Sequence, residues 1–220
     1  KALDKREKML YISSMNNKKV MRPNILIETI RRNTYTNTIW KDSIFENLTK
    51  ESSDTRGKWG EDFLQALIKD VTTLGVEWDG DSNTSNECGS IYDILVNKKR
   101  TEAKTAMVGY DKNRQKPTNT WQHENIYKEN VWDNLLLLDI KPEGFYITHI
   151  EHNDMYFGDE VHPILKKKST KHLSAWKFDT SKAVLQRGME NGYTIYISVD
   201  EITNGTHRGK LKEYFERHFV

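Results

Sequence analysis

Three residues of this chain, Asp93, Glu102 and Lys104, have types and spacing suited to phosphodiester chemistry. Glu102-Ala103-Lys104 lies in a strand-like run from Thr101 to Val108, and residues two apart on a strand project from the same face. A second strand-like run, Ser90 to Val96, precedes it, and Asn97-Lys98-Lys99-Arg100 joins the two as a tight turn. With the turn centred on Lys98 and Lys99, Asn97 faces Arg100, Leu95 faces Glu102 and Asp93 faces Lys104. Asp93 and Glu102 are then diagonal neighbours on one face of a hairpin. Two such carboxylates can hold a hard divalent ion such as Mg²⁺, which takes oxygen ligands and keeps several waters. The ion stabilises charge on a phosphate and makes its bound water a better nucleophile. A lysine alongside can orient or deprotonate the attacking water, or balance the phosphate charge. The same residues also allow a plainer arrangement: a salt bridge between Asp93 and Lys104, worth about 0–1 kcal/mol, with Glu102 solvated.

The elements that must position these residues are legible around them. Phe63, Leu64, Leu67, Ile68 and Val71 recur at spacings of one, three and four, the apolar stripe of a helix. Ser52 to Gly57 before it reads as a loop, and Leu74 to Trp78 after it as a short strand. Asp79 to Gly89 and Gly109 to Asn119 read as polar loops. Thr120 is placed to cap a helix from Trp121 to about Val131. Leu135 to Leu138 suits a buried strand and Gly144 to Ile150 a further strand. Thr180 or Ser181 is placed to cap a helix ending at Asn191-Gly192, followed by a strand from Tyr193 to Val199 and a helix from Lys210 to His218. Before the core, Lys5 to Met15, Pro23 to Arg32 and Trp40 to Leu48 read as helical pieces.

Tyr92-Asp93-Ile94 followed by Glu102-Ala103-Lys104 resembles the signature of the PD-(D/E)xK nuclease superfamily, which includes many type II restriction endonucleases. Gly60-Glu61-Asp62-Phe63 is similar to the helix carrying a glutamate that precedes the hairpin in that superfamily. Trp121-Gln122-His123-Glu124 is similar to the helix that follows the lysine strand, often with a glutamine near its start. Tyr92 stands where the pattern often has proline. The resemblance spans roughly 58–150 and implies an α/β fold with a restriction-endonuclease-like core: helix, three-stranded mixed sheet, helix, strand. It implies a catalytic set of Asp93, Glu102, Lys104, Glu61 and Gln122, with Asp93, Glu102 and Glu61 as ligands of Mg²⁺ or a substituting Mn²⁺. It further implies an N-terminal helical region over 1–57, a nuclease core over 58–150, and a C-terminal α/β region over 151–220 packed on the core and available for DNA recognition. The expected activity is a Mg²⁺-dependent type II restriction endonuclease, a homodimer cutting duplex DNA at a specific sequence. A structure-specific repair, recombination or phage nuclease, or a non-catalytic DNA-binding module of the same fold, are the alternatives.

Composition bounds these expectations. With 220 residues the chain can bury a sizeable core, and 10% aromatic residues argue for a globular protein despite 30% charge. The lone Cys88 leaves no internal disulfide and no multi-thiolate zinc site. No run of 18 apolar residues suggests a membrane span, and Lys1-Ala2-Leu3-Asp4 carries no apolar secretion signal, so a cytoplasmic location is expected. No glycine-rich phosphate loop occurs, so no nucleotide cofactor is expected. The net charge is only +2, so any attraction for DNA must be local. Candidate phosphate contacts are Lys98, Lys99 and Arg100 in the turn, with Lys112, Arg114 and Lys116 in the loop after the lysine strand.

Overall fold

The computed structural model describes residues 39–78, 92–111, 114, 116–127, 131–154 and 175–220. The chain divides after Ile39, and the secondary structure described belongs to the unit Trp40–Val220. The helical pieces expected before Trp40, the loop 79–89, Cys88 and Lys112 lie outside the described residues. Trp40 to Leu48 forms turns that lead into a short 3-10 segment, Glu46–Lys50, instead of the expected α-helix.

Helix α1 spans Ser53–Val71. Its start overturns the loop expected at Ser52 to Gly57. Ser52 is the N-cap, its side chain accepting the Thr55 N–H at 3.1 Å, with Asp54 in the first turn. Glu61 therefore sits in the body of the helix. The chain then forms strands β1 (Val76–Trp78), β2 (Ile94–Val96) and β3 (Lys99–Met107). A small hairpin comes next, β4 (Tyr110–Asp111) with β5 (Lys116–Pro117). Strand β6 (Thr120–Tyr127) leads to β7 (Asn134–Lys141) and β8 (Gly144–Glu151). The C-terminal part contains β9 (Ala175–Ser181), α2 (Lys182–Glu190), β10 (Thr194–Ser198), α3 (Val199–Asn204) and α4 (His207–Phe219).

The main sheet has six strands in the order β1-β2-β3-β7-β8-β10. Among the described residues of this sheet only β3 and β7 run parallel, with Lys104 beside Leu137. Parallel neighbours need a crossover. Here it includes β6, a strand, and this corrects the helix expected from Trp121 to Val131. Along β6 the buried residues are Trp121, His123 and Ile126, while Gln122, Glu124 and Asn125 are exposed. That is the two-residue period of a strand, broken once by an irregularity between His123 and Ile126, where Asn125 takes φ 58°. β6 pairs with β9 as a two-stranded ribbon.

The ribbon and two helix layers bury both faces of the sheet. Leu135 to Leu138 and Ile140 of β7 are fully buried, as a strand covered on both sides requires. On one face Leu135, Leu137 and Ile150 join Ile126, Trp132, Phe178 and Val184 from the ribbon side. On the other, Phe145 meets Phe63 of α1 edge to face, with ring centroids 5.2 Å apart, and His149 stacks on His218 of α4 at 4.3 Å. Ser181 caps α2 through the Val184 N–H, in agreement with the capping position expected from sequence. No helix among the described residues is long and apolar enough to cross a membrane.

Candidate active site

The β2–β3 turn determines what Asp93 can meet. Asn97 and Lys98 both take left-handed backbone conformations, φ 50° and 67°, as a two-residue hairpin turn demands. Val96 therefore pairs with Lys99, Leu95 with Arg100 and Ile94 with Thr101. This register differs by two residues from the expected one, in which Leu95 faces Glu102 and Asp93 faces Lys104. A two-residue displacement keeps every side chain on its face, whereas one residue would invert them. Asp93, just before β2, donates its N–H to Thr101 O at 3.1 Å. Its Oδ2 accepts the Ala103 N–H at 2.7 Å. The Asp93 carboxylate is thus held against the backbone between Glu102 and Lys104.

The Lys104 ammonium forms an ion pair with Glu102. The plainer arrangement that the sequence allows, an Asp93–Lys104 bridge with Glu102 solvated, is not what forms: Glu102 is only 3% exposed. Burial pushes its carboxyl up to about 7, with Asp93 and Glu61 adding to the rise and Lys104 opposing it. Burial lowers the Lys104 ammonium, but Glu102, Asp93 and Glu61 together outweigh that and raise it. Burial also raises Glu61, reinforced by Asp93 and opposed by Lys58, which lies 3.2 Å from Glu61 Oε2. Glu102 and Lys104 each feel the other three groups, and Glu61 feels Asp93 and Lys104, so the fold brings Asp93, Glu102, Lys104 and Glu61 into one electrostatic cluster.

A cleft of about 670 Å³ opens beside this cluster, between the first half of α1, the second half of β3 and the middle of β6. Glu61, Lys104 and Gln122 all line it. Gln122 reaches the wall from a strand, not from a helix start, and its amide donates to Asp179 Oδ1 of β9 at 3.3 Å. Behind Gln122, His123 Nε2 contacts Asp139 Oδ1 at 2.7 Å, and the Thr180 hydroxyl donates to Asp139 Oδ2 at 2.7 Å. This buried group ties β6 and β9 to β7. Nothing local in the sequence marks Asp139 or Thr180 as a partner of His123; only the tertiary fold brings them together.

The basic residues divide. Arg100 is clamped on Asp133, its Nη2 at 2.7 Å from Oδ1 and its backbone N–H donating to Oδ2 at 2.8 Å. The hydrogen bond from Arg100 holds the Asp133 carboxyl below its ordinary range. Lys98 is exposed at the turn and Lys99 is partly buried. Arg114 is exposed beside Asp111, and Lys116 is exposed on β5.

The donor chemistry of the cluster suits a hard divalent cation: burial, reinforced by the neighbouring carboxylates, raises the proton affinity of Glu61 and Glu102, and a positive ion beside them would offset both effects. Among the described residues no three His, Cys, Asp or Glu side chains are arranged to grip one ion as they stand. Glu102 faces Lys104 instead, so the ammonium occupies the cation's role. The chain matches no family profile, no curated protein and no solved structure.

Proposed function

We propose that the protein is a Mg²⁺-dependent DNA endonuclease of the PD-(D/E)xK kind, acting as a homodimer on duplex DNA in the manner of a type II restriction enzyme. The observation that carries the reading is the buried Glu102, paired with Lys104 and electrostatically joined to Asp93 and Glu61 beside an open cleft. The order of elements lends partial support, because a helix followed by the acid-bearing hairpin is what the resemblance implies, although β6 stands where it implies a helix. The restriction label and the dimer rest on the resemblance alone.

Asp93, Glu102 and Glu61 would hold the ion, with Mn²⁺ as a substitute. When bound, a divalent ion polarises the phosphate and lowers the pKa of a coordinated water. The chain's own residues have separate tasks. Asp93 is fixed by the Ala103 N–H, which limits its movement during a catalytic cycle. Lys104 lines the cleft and brings positive charge to the phosphate and the attacking oxygen. Glu102 holds that ammonium in place until substrate and ion enter. Gln122 offers an amide at the cleft wall.

The test is plasmid DNA incubated with the protein and Mg²⁺, with and without EDTA, beside Asp93→Ala and Lys104→Ala. Discrete fragments that require Mg²⁺ and both residues are expected. DNA binding without any metal-dependent cleavage would overturn the proposal.

A further inference from the structure

Gly60 lies on the buried face of α1, directly over Thr105 of β3. A methyl group at position 60 would overlap Thr105 Oγ1 and lie 2.7 Å from Thr105 Cβ. Another rotamer of Thr105 can move Oγ1, but its Cβ is fixed by the backbone of β3, so the 2.7 Å approach remains and helix and strand would have to move apart. Thr105 Oγ1 is buried without a hydrogen-bond partner, so the side chain is not kept there by a polar contact of its own. Glu61 follows Gly60, and Lys104 precedes Thr105. A close approach of helix to strand therefore falls one residue from Glu61 on α1 and from Lys104 on β3.

We propose that the Gly60–Thr105 contact is a positioning device for the site: glycine at 60 and the side chain at 105 together set how deeply α1 sits on β3, and hence how near Glu61 comes to Asp93 and Lys104. Neither residue touches substrate in this scheme. The inference rests on reading Glu61 as part of the site, but its geometric half stands apart from any nuclease activity.

Two measurements on the full chain separate these halves. The first is the urea midpoint at pH 7 for Glu61→Gln placed in the parent, in Gly60→Ala and in Gly60→Ala/Thr105→Gly. Removing the Glu61 charge shifts the parent midpoint, shifts Gly60→Ala by less than half as much, and shifts the double variant as in the parent. A purely structural role for Gly60 would leave the Glu61→Gln shift the same in all three backgrounds, which overturns the proposal. If Gly60→Ala alone does not fold, the double variant is compared with the parent directly. A double variant that also fails to fold, or folds without the Glu61 shift, overturns it as well.

The second measurement is Ca²⁺ binding by calorimetry, with Ca²⁺ as a non-cleaving probe. Affinity falls about tenfold in Gly60→Ala, the effect of disturbing a residue that supports a ligand, and returns in the double variant. A parent that binds no Ca²⁺ and cuts no DNA, yet keeps the midpoint pattern, sinks the nuclease reading and leaves the positioning role standing.

Discussion

Asp93 accepts the amide hydrogen of Ala103, the residue between Glu102 and Lys104, at 2.7 Å. One side chain thereby fixes its own carboxylate and the strand that carries the other two groups. Asp93→Ala removes the acceptor and leaves a partly buried N–H unsatisfied, which costs about 1–3 kcal/mol. Asp93→Asn keeps a side-chain oxygen for that N–H and lowers stability by less than half as much. If the proposed chemistry is right, both variants lose cleavage by the same large factor. Urea denaturation and plasmid cleavage measured side by side check this. Equal destabilisation by the two variants would show that the Ala103 contact contributes little.

The buried Glu102 makes stability depend on pH in a stated direction. Its carboxyl titrates near 7 in the fold, against an ordinary value of 4.5, so the folded state holds the proton more tightly than the unfolded chain. The stability this group contributes is fully present below about 4.5 and is lost as pH rises through about 7. Glu61 is shifted in the same sense, and Asp133 in the opposite one. Comparing Glu102→Gln with the parent isolates the single group: the variant loses part of the decline between those values. Parallel pH profiles for the two proteins would contradict the prediction.

Two cations of the hairpin, Lys98 in its turn and Arg100 on β3, are expected to behave differently. Arg100 is engaged with Asp133, and both side chains are more than a third exposed. Solvent screening limits such a pair to about 0–1 kcal/mol, so Asp133→Ala, which also removes the acceptor of the Arg100 N–H, lowers stability by about 1 kcal/mol. Lys98 is exposed, and if the turn meets DNA, Lys98→Ala reduces the slope of log affinity against log salt by about 0.9. Salt titrations of Lys98→Ala and Arg100→Ala test the distinction. A larger change in slope for Arg100→Ala would reverse the assignment.

His123 and Asp139 are both fully buried at the side chain and lie 2.7 Å apart. Asp139→Ala strands the histidine and the Thr180 hydroxyl together, which lowers stability by about 2–3 kcal/mol or more. Because the group anchors the ribbon that carries Gln122, the same variant loosens that wall of the cleft. Hydrogen exchange over residues 120–127 reports it, and unchanged protection there would mean that the ribbon is held by its apolar contacts alone.

The sequence shows some of this architecture better than the rest, for identifiable reasons. The apolar stripe from Phe63 to Val71 needs no tertiary information, and α1 comes directly from it. The hairpin is legible from its two apolar runs, but its register is not. Asn97 is a residue that favours left-handed backbone, yet Lys98 accepts the same conformation without any signature of its own. Strand β6 reads as a helix because Thr120 looks like a cap and because the irregularity at Glu124-Asn125 breaks its two-residue alternation. Gly60 looks like one more helical glycine, since only the facing Thr105 gives it meaning. Glu102 and Lys104 can be placed on one face from spacing alone, but the burial that makes Glu102 unusual comes from layers contributed by distant parts of the chain.

The parallel pairing of β3 with β7 has a consequence for how the molecule assembles. The turn at Asn97-Lys98 is local and can close early, which brings Asp93 to Ala103 without help from the rest of the chain. Lys104 meets Leu137 only after the intervening crossover, with β6 inside it, has found its place, and pairings of that sequence separation form slowly. β6 in turn needs β9, still further along the chain. The strand bearing Glu102 and Lys104 is therefore the seam between an early hairpin and a late-docking remainder. A partly folded chain can hold Asp93 in place while Glu102 still faces water, so Glu102 becomes buried only when folding is essentially complete.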